Sequence, residues 1–192
     1  MANENNSGAA AVRAGDVCRH FNASEPALAA LDDRSLPSQF LRALVEKQLF
    51  PDAIQLIAHY LPKRQAVWWA CQCAKSGFGA KTTPQMKAAV EAAEKWVAQP
   101  SEENRRAAHQ AAELEESGSA AHLAALAASF AEQPPAADPR IREKQQFMTA
   151  KLAAGAVLLA ATVDAEKAKQ NLAEYVSQGI TVVNRTYSAK EA

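Results

Sequence analysis

Apolar residues recur along the chain at helical spacing, and proline, serine and glycine mark the breaks between one amphipathic stripe and the next. Pro37 precedes Phe40, Leu41, Leu44, Val45 and Leu49, which predict a helix with one broad buried face. Proline suits that first turn because the N–H it lacks would have no helical partner there. Pro51 opens a second helix, with Ile54, Ile57, Ala58 and Leu61 on one stripe. Pro62 opens a third that carries AVWWACQCA (66–74), and the segment around Gly77 and Gly79 is the turn after it. Thr83-Pro84 is a capping side chain followed by a helix-starting proline, and Met86, Ala89, Val90, Ala93, Trp96 and Val97 form the stripe behind it.

Pro100 ends that helix. Ser101 caps the next, with Glu102 and Glu103 in the first turn, where the helix dipole favours negative charge. A Ser-Gly-Ser break at 117–119 leads into a helix bearing Leu123, Leu126, Ala127 and Phe130. Asp138-Pro139 starts a long helix through Ile141, Met148, Leu152, Gly155 and Leu159; Asp164 caps a last one, with Ala168, Leu172, Tyr175 and Val176, which Gly179 terminates. The pattern predicts an all-α protein of about eight helices with no sheet, a compact bundle or stacked antiparallel helical pairs, because short turns join antiparallel neighbours. Residues 1–15 read as a disordered leader and 16–179 as one helical domain, with a point of division at the linker EQPPAADP (132–139); 180–192 is a tail without an assigned element.

Composition sharpens this picture. The 192 residues are 48% hydrophobic, well above the range of chains that stay disordered. Much of that share is alanine, which has the highest helix propensity and lets helices approach closely. Twenty-one basic and 21 acidic residues cancel, which argues against nucleic acid as a partner, since phosphate contacts demand a basic excess or stripe. The polar N-terminus has no signal-peptide core, and the longest apolar run (152–163) is about half a membrane span, so no membrane partner and a cytoplasmic location are expected.

Candidate chemistry is thin. KSGFGAKTT (75–83) lacks both glycines of a P-loop and follows a helix, not a strand. Cys71 and Cys73 lie two apart, so on a helix they point away from each other and share no metal; with Cys18 they make an odd set and no disulfide framework. The four histidines are scattered, without a metal-binding spacing, and serine has no nucleophile elbow. No metal, cofactor or catalytic residue is assigned, and the chain reads as a non-enzyme. Trp68-Trp69 is the most unusual local feature. Adjacent helical residues diverge by about 100°, so the two rings cannot share one pocket; one fills the core and the other bridges to a second helix or borders a groove.

The stretch 61–74 (LPKRQAVWWACQCA), together with Trp96-Val97, ENRRAA (103–108) and AAGAVLLAA (153–161), resembles an uncharacterised family of small bacterial all-helical proteins with an LPxRxAVWWACxCA motif, over roughly residues 36–179. Members resemble accessory proteins encoded among type VI secretion genes. One departure is EQPPAAD (132–138), where that family would carry a glycine-rich patch. The resemblance implies a non-enzymatic adaptor or co-chaperone that assists effector loading, with a secretion effector or its chaperone as partner. Trp68 or Trp69 would supply apolar contact, with Arg64, Arg105 and Arg106 at a polar rim. Two other readings remain open: an immunity-type inhibitor that binds a toxin directly, and an enzyme whose site is dispersed over several helices. Self-association is compatible with all three.

Overall fold

The computed structural model describes residues 12–188 apart from 33, 116, 117 and 134, and among these it contains helices and no strand. In order they are α1 (Ala14–Cys18), α2 (Glu25–Ala30), α3 (Pro37–Glu46), α4 (Phe50–Tyr60), α5 (Lys63–Ser76), α6 (Pro84–Ala98), α7 (Glu102–Glu113), α8 (Ala120–Phe130), α9 (Pro139–Gln146), α10 (Met148–Thr162) and α11 (Ala168–Ser188). None of them is long and apolar enough to cross a membrane.

The boundaries follow the expected capping chemistry. The side chains of Thr83, Ser101 and Ser119 accept the backbone N–H three residues on, at 3.1, 3.2 and 3.0 Å, and Asp138 accepts that of Arg140 at 2.8 Å. Each satisfies an amide that the helix itself leaves unpaired. Gln39 reaches back to accept the N–H of Leu36 at 2.9 Å, pinning the start of α3.

Helices α5, α8 and α10 pack against one another at the centre, α4 and α11 close one side, and α6 and α7 close the other. Alanine makes this possible. Ala121, Ala124, Ala125, Ala127 and Ala128 of α8 and Ala153, Ala154, Ala156, Ala160 and Ala161 of α10 are all buried, so two backbones meet with little side chain between them. Larger groups fill the remaining space: Trp69, Trp96, Leu44, Ile54, Leu56 and Ile57 are fully buried. The helices on either side of the 132–139 linker contribute to one continuous buried cluster.

The structure departs from the sequence expectation in five places. There are eleven helices among the described residues, because α1, α2 and α9 are too short to show a repeating stripe. The predicted helix from Pro139 is two: α9 buries no residue, and the chain turns at Phe147, whose ring stacks on His20 with centroids 3.6 Å apart. Residues 1–11 of the expected leader lie outside the described residues, and its last two, Ala14 and Gly15, are buried in α1. Finally, Gly179 does not end α11, which continues to Ser188; likewise Asp164 holds a turn through the N–H of Glu166, before the helix begins.

Gly179 is instead the point where α11 crosses Trp69. A Cβ there would lie 2.8 Å from Trp69 Cζ2 and 3.0 Å from Ile57 Cδ1. Overpacking a rigid core costs about 1–3 kcal/mol, against a helix-propensity gain of at most about 1 kcal/mol. Gly179→Ala is therefore expected to lower the urea midpoint; an unchanged or raised midpoint would show that the ring is free to move.

Candidate functional site

The two neighbouring tryptophans of α5 are divided between core and surface. Trp69 is 0% exposed, and its indole N–H donates to the carbonyl of Tyr175 on α11 at 3.2 Å. Trp68, one residue earlier and about 100° around the helix, is 40% exposed. It lies between Arg64 and Gln72 on one stripe of α5, since residues four apart are neighbours on a helix surface. Both flanking side chains are tied to α6. Arg64 donates from Nε to the Val97 carbonyl at 2.5 Å and from Nη2 to that of Ala98 at 3.1 Å. Gln72 donates to Glu94 at 3.0 Å, and Lys75 pairs with the same carboxylate. The exposed indole thus stands on a backbone braced at both ends of its stripe.

The arginines separate by role. Arg64 occupies the C-terminal carbonyls of α6, where a cation also meets the negative end of the helix dipole. Arg105 is largely buried; it donates to the Ser129 carbonyl near the end of α8 at 2.9 Å and forms a two-point pair with Glu102 at 2.7 and 2.8 Å. Both guanidinium groups close helix ends, Arg64 at the surface and Arg105 largely buried. Arg106 also pairs with Glu102, at 2.7 Å, but its side chain is 72% exposed. No hydrogen bond or ion pair among the described residues joins Arg105 or Arg106 to the Trp68 stripe, so these bonds do not tie the five sequence candidates into one cluster.

The thiols are poorly placed for nucleophilic work. Burial pushes Cys71 up to about 12, with the Glu94 carboxylate adding to the effect, and burial likewise pushes Cys73 far above the ordinary thiol range. A thiol held protonated at neutral pH is a weak nucleophile.

Cavities also went unforeseen in the sequence. One, of about 600 Å³, is lined by Leu36, Pro37, His59, Tyr60, Val183 and Tyr187 among others. Tyr187 donates to the Tyr60 carbonyl at 2.5 Å and stacks on the Tyr60 ring. Burial raises both phenols, Tyr187 to about 12, and lowers His59. His59 Nδ1 faces the Gln55 carbonyl at 2.8 Å and must therefore carry the proton. These three groups are neutral near pH 7. The second is an apolar groove of about 210 Å³ lined by Phe78, Met86, Leu159 and Val163. Val163 there is 69% exposed, and Leu114, at an adjoining depression that shares Met86, is 77% exposed. Neither cavity was legible because residues from α3, α4 and α11, or from α5, α6, α8 and α10, meet only through tertiary packing.

Among the described residues these features define an all-helical protein with an exposed aromatic side chain on α5, flanked by two side chains that are tied to α6. The chain belongs to a family of unknown function, DUF6931, whose model matches residues 40–183. That span covers the braced Trp68 stripe, both helix-closing arginines and Gly179. No curated protein and no solved structure matches the chain.

Two measurements check this electrostatic picture. Hydrogen bonds from Arg105, then Arg106, hold the Glu102 carboxyl down to about 2. Because the folded value lies below the unfolded one of about 4.3, the stabilisation is present above that value and is lost as pH falls through about 2. An NMR titration should show the Glu102 midpoint well below the other exposed carboxylates and returning upward in Arg105→Gln; an ordinary midpoint in the native protein would contradict the pairing. Cys71 and Cys73 are expected to resist a thiol-specific disulfide reagent in the native protein at pH 8 and to react on unfolding. Rapid native reaction at either position would show that the α5 core is open.

Proposed function

We propose that this protein is a non-enzymatic adaptor or co-chaperone that binds another protein through the α5–α6 face carrying Trp68. The observation that supports the reading is the braced, exposed indole beside a fully buried one. Tryptophan concentrates at binding hot spots because it brings a large contact area and few rotamers to freeze. A large aromatic left in water on a rigid helix fits a partner that supplies a matching apolar pocket. Arg106 and the charged face of α7 offer rim contacts that would set selectivity more than affinity.

The resemblance of the 61–74 segment to proteins encoded with type VI secretion genes gives the finer form of this proposal. In it the partner is a secretion effector or its dedicated chaperone, and the contact forms in the cytoplasm before export. The buried, protonated thiols and the neutral tyrosine–histidine cavity supply no activated nucleophile, which favours binding over group transfer.

The test is recovery of a near-stoichiometric partner by the tagged protein from its host, compared with Trp68→Ala. Losing a hot-spot side chain costs roughly 2 kcal/mol or more, about thirtyfold in affinity. The variant should lose the partner while its thermal midpoint stays close to that of the parent, because the side chain is partly in water. Equal recovery by both proteins, or recovery of no partner by the parent, would remove the Trp68 face from the account.

A further inference from the structure

Beside the α4–α10 contact lies a cup of about 350 Å³ that the adaptor reading does not use. Its wall is made by Arg19, His20, Phe21 and Asn22, which follow α1, by Gln55 of α4 and by Lys151 of α10. The polar groups here are donors in excess. The Lys151 ammonium has no ion pair or hydrogen bond among the described residues, and neither does the Asn22 carboxamide. Gln55 Oε1, by contrast, is a buried acceptor without a partner among the described residues, and it would take a hydroxyl of a ligand, not a phosphate oxygen. Arg19 meets Asp16 through Nη1 at 3.2 Å, and its Nε and Nη2 have no other ion pair or hydrogen bond among the described residues. Asp16 stands outside the lining, so no acidic side chain among the described residues lines the cup. Lys151 sits near the start of α10, where unpaired amides give the helix end a partial positive charge and no side chain caps it.

We propose that this cup binds the phosphate group of a small phosphorylated molecule. Two exposed cations and an imidazole lining one concavity match a compact dianion with several acceptor oxygens, and Arg19 can offer a second N–H beside the one Asp16 uses. The volume lies at the lower end of the range for small-ligand sites, so a phosphate ester of a few carbons fits better than a dinucleotide. His20 is held in place by its stack on Phe147, and Phe21 gives the cup an apolar wall for the rest of the ligand.

The same field is felt by His59 behind the cup. Burial is the main cause of its lowered pKa, and the positive charges of Lys151 and His20 push it down further. Asp52, two turns back along α4, is engaged by the N–H and hydroxyl of Ser24 at 2.8 Å each. A bound anion would offset the Lys151 and His20 charges and raise the His59 titration midpoint.

The test is an NMR titration of the full chain with inorganic phosphate and, separately, glycerol 3-phosphate, at constant ionic strength against chloride. Saturable shifts at His20, Asn22, Gln55 and Lys151 are expected, with an upward move of the His59 midpoint. Lys151→Gln, at an exposed position, should weaken binding by about tenfold or more, as losing a charge-assisted hydrogen bond does. Trp68→Ala should bind phosphate as the parent does, which separates this site from the protein-binding face. Non-saturating shifts that chloride reproduces, or equal binding by Lys151→Gln, would overturn the proposal. So would association with phosphatidic acid vesicles without binding of either soluble phosphate.

Discussion

The Trp69 ring fixes how α5 sits in this molecule, and much else follows from that placement. Its indole is fully buried, its N–H is anchored to the Tyr175 carbonyl, and its edge lies where α11 carries glycine at 179. One contact thus sets both the rotation of α5 and the crossing point of α11. A buried indole without its partner would cost a hydrogen bond and the surrounding packing together. Alanine does the complementary work on the other side of α5, where most of the side chains buried between α8 and α10 are small and Leu123 packs over Gly155.

With the rotation of α5 set, the helical step of about 100° sends Trp68 outward. Its exposure is therefore a consequence of core packing, and the ties from Arg64 and Gln72 to α6 hold it still. Two of the arginines that suggest themselves as rim contacts, exposed Arg64 and largely buried Arg105, are each engaged in closing the C-terminal end of a helix. Exposed Trp68 on α5, exposed Arg106 on α7 and the cup beside the α4–α10 contact remain at the surface.

How much of this was written in the sequence depends on the range of the interaction. Caps at Thr83, Ser101, Ser119 and Asp138 were legible, because each involves a side chain and an amide two or three residues away. So were the stripes of α3 to α8. Short α1, α2 and α9 carry too few turns to repeat a pattern. Gly179 was misread as a terminator, since a glycine that makes room for a distant ring looks the same in sequence as one that ends a helix. The adjacency of Trp68 and Trp69 showed that one ring had to leave the core, but which one depends on Tyr175 and Gly179, more than a hundred residues away. The cup escaped notice for the same reason: Arg19, Gln55 and Lys151 are brought together only by α4 meeting α10 and the segment after α1.

Hydrogen exchange of the three indole N–H groups, followed by NMR in D2O, tests the division of the tryptophans most directly. Exchange reports the opening needed to reach solvent. Trp69, buried and bonded to Tyr175, and Trp96, buried without a partner, should both be protected, while Trp68 exchanges within the dead time. Three fast-exchanging indoles, or protection of Trp68 with loss at Trp69, would contradict the placement of α5 on which the whole account rests.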